Sequence, residues 1–508
     1  MKKTFLFLVL FMALLVSAGE KLPKYIILFI GDGMATPQRM IAEEFSLKTG
    51  KGKLAINSLP YHATTRTVSS NSLVTDSAAA GTAIACGAKT VNGRIGLDPA
   101  GKRLESVAEV AKKKNYKVGI ISTMVINHAT PASFYGHRSS RHQYYELGLD
   151  LINSNFDLFA GGGINHSSQK AKGKGKVKVP AAAKTSLYEL ARKKGYKTIS
   201  EKKEFLALKP GCGKFIYSVS KGGMPAAMDT TADGTTLAEL TAKALELLKN
   251  PKGFFLMVEG GTIDSFGHAN EAAANLHEVL ALDQAVKAAL AFQKKHPEET
   301  LIVVTGDHET GGMTMGFAGS GYAMYMERLA FQKGTASKFR QVQKAANPKN
   351  FAEARKLLTD YFGFKFSGNI NVERCILRVA PGVISLIILS LPVLPCLCCP
   401  GLCYGPAAIT IRHPYRNKPL AYRARMYWHI GASFHSYVPP YHHAGVSYTG
   451  HKKREPELLP SSLCYHYITI ICAIPCHVWS LPERVFYVIE HITKRPSVTS
   501  ATKATKNI

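Results

Sequence analysis

Short runs of consecutive apolar residues alternate along this chain with stretches whose apolar positions recur every three to four residues. Tyr25–Ile30 is an unbroken apolar run closed by Gly31-Asp32-Gly33, the pattern of a buried strand ending in a tight turn. The same pattern returns at Phe254–Val258, closed by Glu259-Gly260-Gly261, and at Leu301–Thr305, closed by Gly306-Asp307-His308. Between them, Leu104–Lys114 is amphipathic and feeds a strand over Lys117–Ser122. Ser77–Cys86 is small and Ala-rich, which suits a helix packed close against a sheet. Leu276, Val279, Leu282, Val286 and Leu290 fall at helical spacing. Strand–helix alternation of this kind predicts an α/β fold: a mostly parallel central sheet flanked by helices on both faces.

Ligands of such sheets sit beyond the carboxyl ends of the strands. Asp32, Glu259 and Asp307 each follow or end an apolar strand, so all three are expected to face one crevice. Asp264 and His268 lie four residues apart, and His308 follows Asp307 directly. Carboxylates with imidazoles suit Zn²⁺, whereas carboxylates with a hydroxyl suit Mg²⁺. An isolated Asp-x-x-x-His pair is a weak signal, but three acidic strand ends with two His-containing motifs are a stronger one. Ser77 opens its helix behind Asp76. A Ser there is commonly just a helix cap, yet a helix N-terminus also binds anions, and a neighbouring cation would make the Ser oxygen a nucleophile.

Taken together the motifs resemble those of alkaline phosphatases. Phe-Ile-Gly-Asp32-Gly-Met, Asp76-Ser77-Ala, His128-Ala-Thr130-Pro, Arg141, Val-Glu259-Gly, Asp264-x-x-x-His268 and Thr-Gly-Asp307-His308-Glu-Thr-Gly-Gly fit in order and spacing, from about Leu22 to Gly368. The resemblance implies an enzyme with two Zn²⁺ and one Mg²⁺ per chain that hydrolyses phosphate monoesters through a phosphoserine on Ser77. It implies that Asp32, Asp307 and His308 hold the zinc beside Ser77. Asp264 and His268 would hold the zinc on the leaving-group side, and Asp32, Thr130 and Glu259 the magnesium. Arg141 would clamp phosphate oxygens with its planar fork, with Arg138 three residues away as its rival. Asp76 and His128 would lie just behind the ligands, His128 tuning the magnesium. Members are commonly homodimers. The family also uses one more zinc-ligand His, in a His-Thr-Gly type motif downstream of His308, and this chain has no such motif.

Composition divides the chain. It has 508 residues and a formal net charge of +29. Residues 1–370 contain 49 Lys and Arg, 30 Asp and Glu, and two Cys, whereas residues 371–508 contain no Asp, eight Cys and both Trp. A segment of that length without Asp is unusual, because turns and caps draw on Asp. Reading the codons of Gly431–Val438 one base forward permits Gly-His-His-Ser-Thr-His-Thr, which contains the absent His-Thr. We therefore read 371–508 as an out-of-frame tail outside the fold, with a divergent domain or membrane segment as the competing readings. Val379–Thr410 is apolar, but five Pro argue against a spanning helix. Lys2 and Lys3 precede the apolar run Phe5–Val16 and the small residues Ser17-Ala18-Gly19, so 1–19 reads as a signal peptide and the protein as exported, periplasmic or secreted. The catalytic domain is then 20–370, with basic insertions near 166–186 and 319–369. The positive charge fits anionic phosphoesters and comes with no nucleic-acid-binding signature.

Overall fold

In the computed structural model, residues 23–166, 185–316, 323–363 and the strand at 467–473 are described. The expected signal peptide, the Lys-rich run Ser167–Lys178 and nearly all of the anomalous tail lie outside them.

Among the described residues, nine strands form one sheet: β1 (Tyr25–Gly31), β2 (Tyr61–Arg66), β3 (Lys117–Ser122), β4 (Leu158–Gly161), β5 (Lys197–Ile199), β6 (Phe215–Ser218), β7 (Phe254–Gly260), β8 (Thr300–Gly306) and β9 (Tyr467–Ala473). Their spatial order is β2-β9-β8-β1-β7-β3-β4-β6-β5. The seven from β8 to β5 run parallel. β9, which belongs to the 371–508 tail read from the sequence as lying outside the fold, lies antiparallel to both β8 and β2, so this one stretch of the tail is part of the sheet. β1, β7 and β8 are buried along almost their whole length, as parallel strands covered on both faces must be. This is why they read as apolar runs rather than alternations. β7 and β8 each extend past the predicted run to include a final Gly.

Among the described residues, twelve α-helices accompany the sheet: α1 (Thr36–Lys48), α2 (Ser77–Cys86), α3 (Val107–Lys113), α4 (Ala129–Ala132), α5 (Tyr144–Asn153), α6 (Leu187–Lys193), α7 (Lys202–Ala207), α8 (Leu237–Leu248), α9 (Thr262–His268), α10 (Ala272–Gln293), α11 (Ala336–Ala346) and α12 (Phe351–Phe362). Two hydrophobic cores result, one on each face. The first packs α1, α8 and α10 against β1, β7 and β8 through residues such as Phe45, Leu245, Leu276, Val279 and Val304. The second packs α2, α3 and α5 on the opposite face through Ala78, Val107, Leu151, Ile120 and Met257. The alternation of inward positions along each strand feeds both cores, which is the predicted three-layer arrangement.

The basic insertion at 319–369 is helical where described. α11 and α12 share a small core of Phe339, Leu358, Tyr361 and Phe362. Two acidic side chains of the main body hold the segment leading into α11. Glu271 accepts from the Ala336 N–H at 2.6 Å and Gln332 Nε2 at 3.2 Å, and Asp229 accepts from the Thr335 N–H at 2.8 Å. No helix among the described residues is long and apolar enough to cross a membrane.

Candidate active site

Sheet register assembles the site. Ile30 of β1 pairs with Glu259 of β7 and with Thr305 of β8, while Ser122 of β3 also pairs with Glu259. Four adjacent parallel strands therefore end level with one another. Asp32, Glu259 and Asp307 emerge together at their carboxyl ends, as the strand-end pattern predicts.

Helix α2 brings the hydroxyl. Asp76 caps it, its carboxylate accepting from the Ala79 N–H at 3.0 Å, so Ser77 takes the first helical position. The first N–H groups of the helix point outward from the same end. Close approach of α2 to α4 depends on Gly81: a Cβ there would stand 2.8 Å from Ser133 Oγ and 3.4 Å from the Thr130 Cα. Thr130 is thus carried to Asp32, where its Oγ1 donates to Oδ2 at 3.1 Å. Ser77 Oγ lies 3.4 Å from Asp32 Oδ1 and 3.1 Å from His308 Nε2.

Around this hydroxyl, Asp32, Asp307 and His308 offer one ligand atom each within 4.8 Å of one another, and so do Asp32, His128 and Glu259. Thr130 thus meets the second group through its bond to Asp32, and His128 stands among its ligand atoms rather than merely behind them. Asp264 and His268 form a pair, 3.4 Å apart, with the His268 side chain 72% exposed. Among the described residues, no third His, Cys, Asp or Glu joins that pair in a ligand-sized group.

The charges demand compensation. Asp32, Glu259 and Asp307 are buried. Burial, reinforced by the neighbouring carboxylates, pushes Asp32 well above the usual carboxylate range and Glu259 up to about 8; burial also raises Asp307 against the pull of His308. Glu259 Oε1, Asp307 Oδ2 and His128 Nδ1 are buried without a hydrogen-bond partner. Unpaired buried oxygens on converging acids are costly unless a cation meets them. The carboxylates and imidazole of Asp32, Asp307 and His308 suit zinc; the second group offers the Asp32 and Glu259 carboxylates and the nearby Thr130 hydroxyl, which suit magnesium, together with the His128 imidazole, which suits zinc. The residues present therefore fit the metals that the motifs imply.

Arginine placement separates the two candidates. Arg138 is held by Asp150, with its Nε donating at 2.8 Å. Arg141 reaches the site instead, its Nη1 donating to Asp76 Oδ2 at 3.1 Å and its Nη2 to His128 Nε2 at 3.4 Å. Burial and the Arg141 charge bring His128 down to about 4, so its ring is a neutral acceptor at ordinary pH.

Two residues of this site have no role assigned from the sequence, although Ser122 ends a predicted strand and Thr310 lies within the Asp307-His308-Glu-Thr-Gly-Gly motif. Ser122 Oγ donates to Glu259 Oε2 in a short hydrogen bond. Thr310 Oγ1 donates to Asp264 Oδ1 at 2.6 Å and lies 3.2 Å from His308 Nδ1. The pairing of Ser122 with Glu259 is a matter of register that the sequence does not show.

Comparison with known proteins agrees with this geometry. The family model described as alkaline phosphatase matches residues 23–354. Alkaline phosphatase 4 of Bacillus subtilis (strain 168) is 36% identical over 254 residues, 48% of this chain and 51% of that protein. The chain thus spans about half the length of that relative. A cold-active alkaline phosphatase from a psychrophilic Shewanella sp. superposes with a TM-score of 0.62 at 27% identity, covering 72% of this chain and 86% of that one. A variant of the TAB5 alkaline phosphatase with Mg bound in its M3 site superposes at 0.51 with 32% identity, covering 58% of this chain and 81% of the other. The chain belongs to the alkaline phosphatase family.

Proposed function

We propose that this protein is an exported, metal-dependent phosphomonoesterase that releases inorganic phosphate through a phosphoserine on Ser77. The observation that carries the reading is the placement of Ser77 Oγ. It stands at a helix N-terminus, 3.1 Å from His308 Nε2 and 3.4 Å from Asp32 Oδ1, with Arg141 anchored on the preceding residue.

Asp32, Asp307 and His308 would hold one zinc, Asp264 and His268 a second, and Asp32, Thr130 and Glu259 a magnesium, with His128 beside it. When bound, these cations supply positive charge for the attacking and departing oxygens of an in-line displacement. The chain's own groups do the rest. Asp76 holds the first turn of α2 and one arm of Arg141, so the helix N–H groups and the guanidinium converge on one side of Ser77. That side is built for the tetrahedral oxygens of a phosphoryl group. Ser77 Oγ supplies the oxygen that bonds phosphorus, and the alcohol of the ester leaves. Water then takes the phosphoryl group from Ser77, restoring the hydroxyl. Substrates would be small phosphate monoesters, and a homodimer is the expected assembly.

A second reading is favoured by one specific observation, the two-residue Asp264–His268 pair. A chain lacking a third ligand there would bind metal and phosphate yet turn over slowly. Turnover of p-nitrophenyl phosphate in added Zn²⁺ and Mg²⁺, with Ser77→Ala as control, decides between them. Metal-dependent release of phosphate that disappears in S77A supports the enzyme; metal binding without turnover supports the impaired form.

A further inference from the structure

Thr310 lies between the two groups of zinc ligands, and nothing in the motif chemistry requires a hydroxyl at that position. Its Oγ1 is 2.6 Å from Asp264 Oδ1 and 3.2 Å from His308 Nδ1. A Thr hydroxyl has one hydrogen, and a carboxylate oxygen can only accept. The short bond therefore takes that hydrogen to Asp264, leaving an oxygen lone pair for His308. His308 Nδ1 must then be the N–H donor, shared between Thr310 Oγ1 at 3.2 Å and the Glu309 carbonyl oxygen at 3.3 Å. Its other ring nitrogen, Nε2, is left bare, facing Ser77 Oγ at 3.1 Å and Asp32 Oδ1 and Asp307 Oδ2 at 3.4 Å each.

The surroundings are shaped for this residue. The Thr310 N–H donates to the Gly33 carbonyl at 3.2 Å, and its own carbonyl accepts from Gln38 Nε2 at 3.1 Å. A Cβ on Gly33 would stand 2.9 Å from Thr310 Oγ1 and 2.9 Å from the Asp264 Cα. A Cβ on Gly267 would stand 2.8 Å from the Thr310 carbonyl oxygen and 3.1 Å from its Cβ. Gly33 adopts φ +72°, a conformation that side chains disfavour, so glycine is required there twice over. Thr310 is 7% exposed, which leaves little room for water to replace the hydroxyl.

We propose that Thr310 is a positioning residue that couples the two zinc sites, running His308 Nδ1–H to Thr310 Oγ1–H to Asp264 Oδ1. It aims a ligand of each site with one hydroxyl, so neither site is set independently of the other. Partners behind ligands typically change metal affinity by about ten- to a hundredfold when removed. Here a single removal acts on both sites at once.

The inference rests on the metal reading of the site, and cobalt, whose visible absorption reports coordination, keeps the two separable. Full-length wild type, Thr310→Val and Thr310→Ser are titrated with Co²⁺ under chelator competition, alongside thermal melts. Thr310→Val is expected to weaken cobalt binding about tenfold or more at both sites and to change both spectra, while Thr310→Ser stays within about threefold of wild type. Thr310→Ala serves as the hydroxyl-free variant should valine prevent folding. Wild-type affinities and spectra in the hydroxyl-free variant, weakening at only one site, or failure of serine to rescue would overturn the coupling while leaving the metal reading intact. A wild-type chain that takes up no cobalt would overturn both.

Discussion

Arg141 shows how far a single residue can be read in advance. Sequence spacing left it with a rival three positions away, because an arginine's reach exceeds the resolution of a one-dimensional pattern. The structure separates them by partner: Arg138 is committed to Asp150, whereas Arg141 joins Asp76 beside the Ser77 hydroxyl. A guanidinium so placed offers charge-assisted hydrogen bonds worth about 1.5–3 kcal/mol each. Arg141→Ala should lower kcat/KM for p-nitrophenyl phosphate by roughly a hundredfold, and Arg141→Lys by roughly tenfold, since lysine restores charge without the fork. Unchanged kcat/KM in Arg141→Ala would place it outside the path of the substrate. Ser122 and Thr310 were harder to read for a different reason. Hydroxyl residues are common in strand ends and turns, and only their depth and their partners distinguish these two. The acidic residues were legible because a carboxylate directly after a buried strand is rare enough to notice.

At the scale of elements, strands that read as continuous apolar runs were found where expected, because burial on both faces leaves few alternatives to apolar residues. Their ends shifted by one or two positions where Gly continued the ladder. The long helix α10 was visible from its leucine and valine spacing, although its start at Ala272 was not. What spacing could not show was how closely elements approach. Helix α2 meets α4 across Gly81, so Gly81→Val should push them apart and destabilise the protein by about 1–3 kcal/mol in urea unfolding. An unchanged midpoint would mean that Ser133 simply rotates away. Helix α10 supplies a second case in Glu278, which accepts from the Ala227 N–H at 2.7 Å and from Thr262 Oγ1 at 2.6 Å. Burial raises this carboxyl to about 7, against an ordinary 4.5. The folded protein therefore holds a proton that the unfolded chain has released. Its contribution to stability is full below about pH 4.5 and is lost as pH rises through about 7, a change of about 3 kcal/mol at most. Glu278→Gln has no such proton to lose. The stability of wild type relative to Glu278→Gln should accordingly fall between pH 5 and pH 8; a difference that stays constant would assign Glu278 an ordinary pKa.

For the whole molecule, the sequence average pointed one way and the site another. The chain is strongly basic, yet one end of its sheet gathers Asp32, Glu259, Asp264 and Asp307 in a largely buried cluster. Folding such a cluster costs free energy that bound cations offset, so metal affinity and global stability are linked. A cation present at a hundred times its dissociation constant adds about 2.7 kcal/mol to the folded state. Two such cations should raise the melting temperature by about 10 °C or more over chelated protein, using roughly 2–4 °C per kcal/mol. The sites are not equal, however. Among the described residues, Asp32, Asp307 and His308 form a three-ligand group, as do Asp32, His128 and Glu259, whereas Asp264 and His268 stand as a pair with His268 largely exposed. A pair holds zinc less tightly than a trio, because each lost ligand leaves a position to water. Stepwise chelation should therefore empty the pair first. We expect p-nitrophenyl phosphatase activity to vanish at a chelator concentration that lowers the melting temperature by only the share of that one site, with the larger fall following on further chelation. If activity and melting temperature were lost together, the pair would have to be completed by a third ligand outside the described residues, and more of the tail than β9 would have to be read as working protein.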